Sequence, residues 1–274
     1  MHRHRLFCFL STICAVMLVS VAVAQTNAQN AQQEVQLGKQ ALTQGKYDDA
    51  IKHFDNANNL LPDNPFVQLN LADALAQKYV PGVDNADNER LADQALSYYE
   101  RVIEGGTSRT ASVSAEKGIA FLNAQMNKFD ESKDYYGKAK KLNPQDPEPF
   151  YLTAVIDWTL SNQFRQQERT KLKLKPEDSL AAKDHDVCLE VKGKNASNLA
   201  EALDNLNQAL ELQPDYIDAM TYMSLVYHER ADVECDDPAT RKTDLQAADG
   251  WDKKALLAKQ KKTHQSQAQS ASQD

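Results

Sequence analysis

Two groups of residues have the side chains that chemistry requires. His185, Asp186 and Cys188 lie within one turn's length of chain, and His228, Glu234, Cys235, Asp236 and Asp237 form a second, acidic group. Brought together, their nitrogen, sulfur and oxygen donors suit a transition metal or a metal-assisted reaction. Neither group has the Cys-x-x-Cys or His-Glu-x-x-His spacing that sets ligands on one turn or one helix face. No phosphate-cradling Gly loop and no Gly-x-Ser-x-Gly turn occurs. Asp236-Asp237-Pro238 reads more simply as a helix start, with Asp capping and Pro in the first turn. The sequence therefore assigns no catalytic residue, no metal ligand and no cofactor. A metal-binding or enzymatic role for the His185/Cys188/Cys235 region stands as the alternative.

The two cysteines have a simpler use if the chain is exported. Arg3 and Arg5 precede an uncharged apolar stretch from Leu6 to Ala24, and Ala22-Val23-Ala24 is a small-x-small cleavage site before polar Gln25-Thr26-Asn27. This pattern predicts a secretory signal over residues 1–24, or an N-terminal anchor if it stays uncleaved. Cys8 and Cys14 lack a lipoprotein-type context. Cleavage removes Arg3 and Arg5, which takes the net charge from −8 to −10 and leaves only Cys188 and Cys235. In an oxidising compartment that pair is a candidate disulfide. The expected location is the periplasm or the outside of a bacterial cell. The acidic balance speaks against holding nucleic acid through its phosphates.

Positioning these residues falls to helices. The chain has 274 residues with only nine Gly and nine Pro, too few for the turns of a β sandwich or propeller. A spacing pattern recurs instead. Gly38, Ala50, Phe54, Ala57 and Pro62 are matched by Ala72, Ala95 and Tyr99, by Ala120, Tyr136, Ala139 and Pro144, by Ala154, Ala202, Ala209 and Pro214, and more weakly by Ala248 and Ala255. Small residues let two helices approach, the aromatic fills the space between them, and Pro stops the second helix.

This pattern resembles the tetratricopeptide repeat, a helix–turn–helix unit of about 34 residues. The resemblance implies an all-α, right-handed solenoid over residues 31–262, with units starting near 31, 65, 113, 147 and 217. Insertions between first and second helices fall near 80–90, 160–197 and 231–243. Gly45-Lys46 and Asn127-Lys128 are the expected turns within hairpins. Residues 25–33 and 263–274 are polar and low in complexity, and read as a disordered linker and tail. The basic run 165–175 reads as a solvated extension of the preceding helix, and Asn195-Ala196-Ser197 as a helix cap rather than a glycosylation site.

By the same resemblance, the first helices line a concave binding face. There they place Lys39, Asp73, Lys117, Phe121, Tyr151, Val155, Trp158 and His228, with Phe121, Tyr151, Val155 and Trp158 as one aromatic-apolar patch. That patch either docks a peptide or partner helix or is covered by the insertion that follows Trp158. Lys117 fits a carboxylate clamp of the family, but Phe121 stands where that clamp needs Asn. The expected function is non-catalytic binding of a protein or peptide in the cell envelope.

Overall fold

The structure, a computed structural model, describes residues 25–175 and 178–271, with side chains described to residue 267. The signal segment 1–24 and the last three residues of the polar tail lie outside this range. Among the described residues there are eleven helices and no strand. In order they are α1 (25–43), α2 (Tyr47–Leu60), α3 (Pro65–Lys78), α4 (Ala86–Gly105), α5 (Arg109–Gln125), α6 (Phe129–Leu142), α7 (Glu148–Lys171), α8 (Leu180–Lys183), α9 (His185–Leu212), α10 (Ile217–Asp232) and α11 (Pro238–Ala271). The described residues form two compact units, which divide between Tyr135 and Tyr136.

Local sequence sets the boundaries. Asn64 accepts the Phe66 and Val67 amides and Pro65 follows it at the first helical position, so α3 starts there. Asn85, Ser108 and Asp184 cap α4, α5 and α9 through their side-chain oxygens. Asp237 accepts the Ala239 and Thr240 amides, which starts α11 at Pro238. Gly106, with φ 56°, ends α4 in the left-handed region.

Two turn types recur, and they show the repeat in the backbone. Gly45 and Asn127 both have positive φ; after them Lys46 N–H returns to Ala41 and Lys128 N–H to Asn123. Leu60, Leu142 and Leu212 each end a helix two residues before Pro62, Pro144 and Pro214. At those three ends Leu61, Asn143 and Gln213 donate to Ala57, Ala139 and Ala209. In each unit the hairpins then pack in chain order, the local arrangement of a solenoid.

Small side chains make the packing close. Ala50, Ala57, Ala72, Ala95, Ala120, Ala139, Ala154, Ala202, Ala209 and Ala248 are fully buried, Ala255 is buried, and the three prolines are exposed. In the N-terminal unit Phe54 lies on Gly38 so tightly that a Cβ there would meet the ring at 2.5 Å. Tyr99 lies on Gly118 with 2.3 Å available, and its hydroxyl donates to Asp73 at 2.6 Å. Ser132, small in place of Ala, donates its hydroxyl to the Ala120 carbonyl at 2.7 Å. Tyr136 is buried in the C-terminal unit.

Three expectations are corrected, and the long insertion is given its structure. Residues 25–33 are helical rather than a loose linker, because Ala31 is buried with Ala57 and Val67. The tail is helical to Ala271, since Ala, Gln and Lys propagate α11 past the last packed residue. The expected insertion 160–197 is mostly helix: it lengthens α7 to Lys171 and starts α9 at His185, with α8 between. Asn195 is buried inside α9 and donates to the Ser161 carbonyl at 2.9 Å, so it caps nothing and is closed to glycosylation.

Candidate functional site

The cysteine-rich region forms a covalent clip. Cys188 at the start of α9 and Cys235 in the α10–α11 loop form a disulfide that closes a 47-residue separation. Neither thiolate is left as a metal donor. Around the bridge His185 faces Asp236 at 3.2 Å and Lys192 bonds Glu234 at 2.6 Å. Burial works to raise the Glu234 carboxyl, but the Lys192 bond and the Asp236 and Asp237 amides outweigh it and hold the pKa below its ordinary value. His228 sits half-buried on α10. Among the described residues no three His, Cys, Asp or Glu side chains converge as a metal cage.

The first-helix residues divide between the two units. In the N-terminal unit Lys39 is exposed on α1, Asp73 on α3 is bonded by Tyr99, and Lys117 is half-buried on α5. Phe121, one turn beyond Lys117, is 43% exposed.

The C-terminal unit brings the remaining rings together. Tyr151 and Trp158 on α7 meet tyrosines from α10 and from the residue before it. Tyr151 lies 5.0 Å from Tyr216 and 5.5 Å from Tyr222, and Trp158 lies 5.6 Å from Tyr222, nearly perpendicular. Edge-to-face rings at these separations fix one another's orientation. Val155 is half-buried between Tyr151 and Trp158 on α7. The ring contacts therefore come from the next first helix. Burial, then the nearby acids Glu148, Asp218 and Asp146, push the Tyr216 hydroxyl up to about 12. Burial likewise raises Tyr151 and Tyr222, with Asp218 adding to both. All three hydroxyls stay protonated at neutral pH and can donate to a ligand.

Two turns beyond Trp158 the face closes on charge. Arg165 forms a two-pronged bond to Glu229 at 2.7 and 2.8 Å, Asn162 adds a bond at 3.1 Å, and Asp232 lies 3.3 Å from the guanidinium. Burial works to lower the Arg165 pKa, and the carboxylates reverse it, so the net direction is up. The basic run is thus a helix extension, as expected, but Arg165 is buried rather than solvated. Arg169 turns back to donate to the Lys175 and Asp178 carbonyls, which ties the end of α7 to the start of the short α8 segment.

Known proteins share this fold. A tetratricopeptide-repeat profile matches residues 118–146, the span holding the end of α5, the Asn127 turn and α6. The matched segment is a tetratricopeptide repeat, and the fold around it is similar to that of tetratricopeptide-repeat proteins. The crystal structure of MamA protein superposes with a TM-score of 0.50 at 15% identity, over 86% of this chain and 95% of that one. MamA from residue 41 to its end, from Desulfovibrio magneticus RS-1, gives 0.50 at 12% identity, over 85% and 96%. At such identities the likeness concerns the fold. No curated protein matches the chain in sequence.

Several residues of this repeat face were not found from sequence. Tyr216 and Tyr222 complete the aromatic cluster, yet neither occupies a position that the repeat pattern assigns to the groove. Glu229, the partner of Arg165, is 64 residues away in sequence, so local spacing carries no trace of it. Gly118 did carry a signal: a glycine inside a helical pattern usually has a packing reason.

Proposed function

We propose that this protein is an exported, non-catalytic interaction scaffold of the cell envelope that holds a partner polypeptide on the α7–α10 face. The observation that carries the reading is the cluster of Tyr151, Trp158, Tyr216 and Tyr222: aromatic rings pre-set in orientation, half-open to solvent, and edged by Asp218. Rigid aromatic anchors bind at low entropic cost because little rotamer freedom remains to be lost. The disulfide supports export, since such bonds persist outside reducing compartments. The apolar segment before Gln25 supports it too. The metal or enzyme alternative loses support because its two best ligands are joined to each other.

The test compares the wild-type protein with Tyr151→Ala/Trp158→Ala and with Thr221→Glu, where Thr221 is the exposed α10 residue next to Tyr222. Partner capture from the native host's envelope fraction falls at least tenfold in both variants while circular dichroism stays unchanged. Unaltered capture by folded Thr221→Glu protein would count against this face.

A further inference from the structure

The loop between α3 and α4 is longer than the repeat requires, and it is firmly held. Asn88, buried at the start of α4, accepts the Val80 amide at 2.9 Å and donates to the Val80 and Val83 carbonyls at 2.8 and 2.9 Å. Asn85 caps the helix that carries it. One buried amide thereby replaces the hydrogen bonds that the loop backbone would otherwise seek from water. Fixed in this way, the loop presents Val80 and Val83 at 52% and 41% exposure. Apolar side chains held out on a rigid loop are the composition of a contact surface.

A cleft of about 460 Å³ lies between this loop and the α5–α6 turn. Tyr79, Val83, Ala92 and Met126 make its apolar lining, and Tyr79 and Met126 also pack on the core of the N-terminal unit. Asp84, Glu89 and Asp93 stand on its wall, against the single cation Lys128 from the turn. No ion pair holds any of these three carboxylates among the described residues, whereas neighbouring Asp87 is taken by Arg90. The cleft combines apolar side chains with an excess of negative charge, which selects an occupant of the opposite charge.

We propose that this cleft docks a basic segment of a partner polypeptide. An apolar side chain of the partner seats against Tyr79, Val83 and Met126, and an adjacent arginine or lysine meets Asp84, Glu89 and Asp93. This surface lies in the N-terminal unit and is separate from the α7–α10 face. It extends the reading of the protein as a scaffold to a second contact.

The probe is a fluorescein-labelled peptide of alternating leucine and arginine, with a leucine–glutamate peptide as its counterpart, read by anisotropy against the full mature chain. The arginine peptide binds and the glutamate peptide does not. The triple variant Asp84→Asn/Glu89→Gln/Asp93→Asn weakens binding roughly tenfold, as does Val83→Asp. A control triple variant at exposed acids elsewhere in the unit, Asp55→Asn/Asp63→Asn/Glu104→Gln, binds like the wild type. Tyr151→Ala/Trp158→Ala also binds like the wild type, which separates this proposal from the first. Absence of binding to the wild type would overturn the cleft as a site for basic segments. Equal weakening by both triple variants would reduce it to unspecific attraction, and loss confined to Tyr151→Ala/Trp158→Ala would move the site to α7–α10.

Discussion

In the N-terminal unit, aromatic rings settle onto glycines: Phe54 on Gly38 and Tyr99 on Gly118. In the C-terminal unit Tyr136 is also buried, but much of the specific fastening is ionic or covalent. Arg165 holds Glu229, Arg230 holds Asp244, Lys192 holds Glu234, and Cys188 is bonded to Cys235. The difference follows the insertions. The N-terminal unit absorbs its extra residues in one loop pinned by Asn88. The C-terminal unit turns a much longer insertion into additional turns of α7 and α9, which run past the contacts that the repeat pattern supplies. Those additional turns need partners of their own, and the partners are charges and a disulfide.

If that contrast is right, breaking an ionic fastening should cost more than disturbing a loop. The largest effect is expected at Glu229→Ala, which leaves the buried Arg165 guanidinium short of its main partner and costs about 3–5 kcal/mol in chemical denaturation. The paired replacement Arg165→Met/Glu229→Leu should recover most of that loss, because no buried charge is then left alone. Reducing the disulfide should cost about 4 kcal/mol by the chain-entropy argument. Hydrogen exchange should then rise around residues 180–195 and 233–237 and stay unchanged at α2–α5. Equal exchange changes in both units would erase the contrast.

Within the N-terminal unit the sharper probe is Gly118→Ala. Its Cβ would sit 2.3 Å from the Tyr99 ring, and displacing that ring should cost about 1–3 kcal/mol in thermal melts. Gly137→Ala, where nothing lies near the added carbon, should be neutral or slightly stabilising. Similar melting of the two variants would remove close ring-on-glycine packing from the account.

The smallest effect concerns pH. The Glu234 carboxyl titrates below its ordinary 4.5, so its contribution is present above that pH and fades as acid protonates it in the folded protein. Melting of the wild type should decline below pH 4.5 more steeply than melting of Glu234→Gln. Parallel curves would show that the Lys192 bond adds nothing to stability.

How much of this was legible beforehand depends on how local each feature is. The phase of Pro62, Pro144 and Pro214 records where helices stop, and Gly45 and Asn127 record where hairpins turn, because one residue's backbone decides each of these. The Cys188–Cys235 pair was readable because cleavage of the signal would leave no other thiols. The Arg165–Glu229 pair and the Tyr222 contacts were not, since both join helices whose distance in sequence says nothing of their register. The helical state of residues 25–33 was missed for a related reason. Composition described the polar surface of α1, while the buried stripe begins with a single alanine, Ala31.

The most direct test of the scaffold reading is site-specific photo-crosslinking in the native host, with the photoreactive residue placed at exposed Thr221, next to Tyr222 of the aromatic cluster, and, for comparison, at Asp204 on the exposed side of α9. The account predicts a discrete adduct of one partner polypeptide from position 221 and none of that mass from position 204. The same adduct from both positions, or none from position 221 in folded protein, would contradict it.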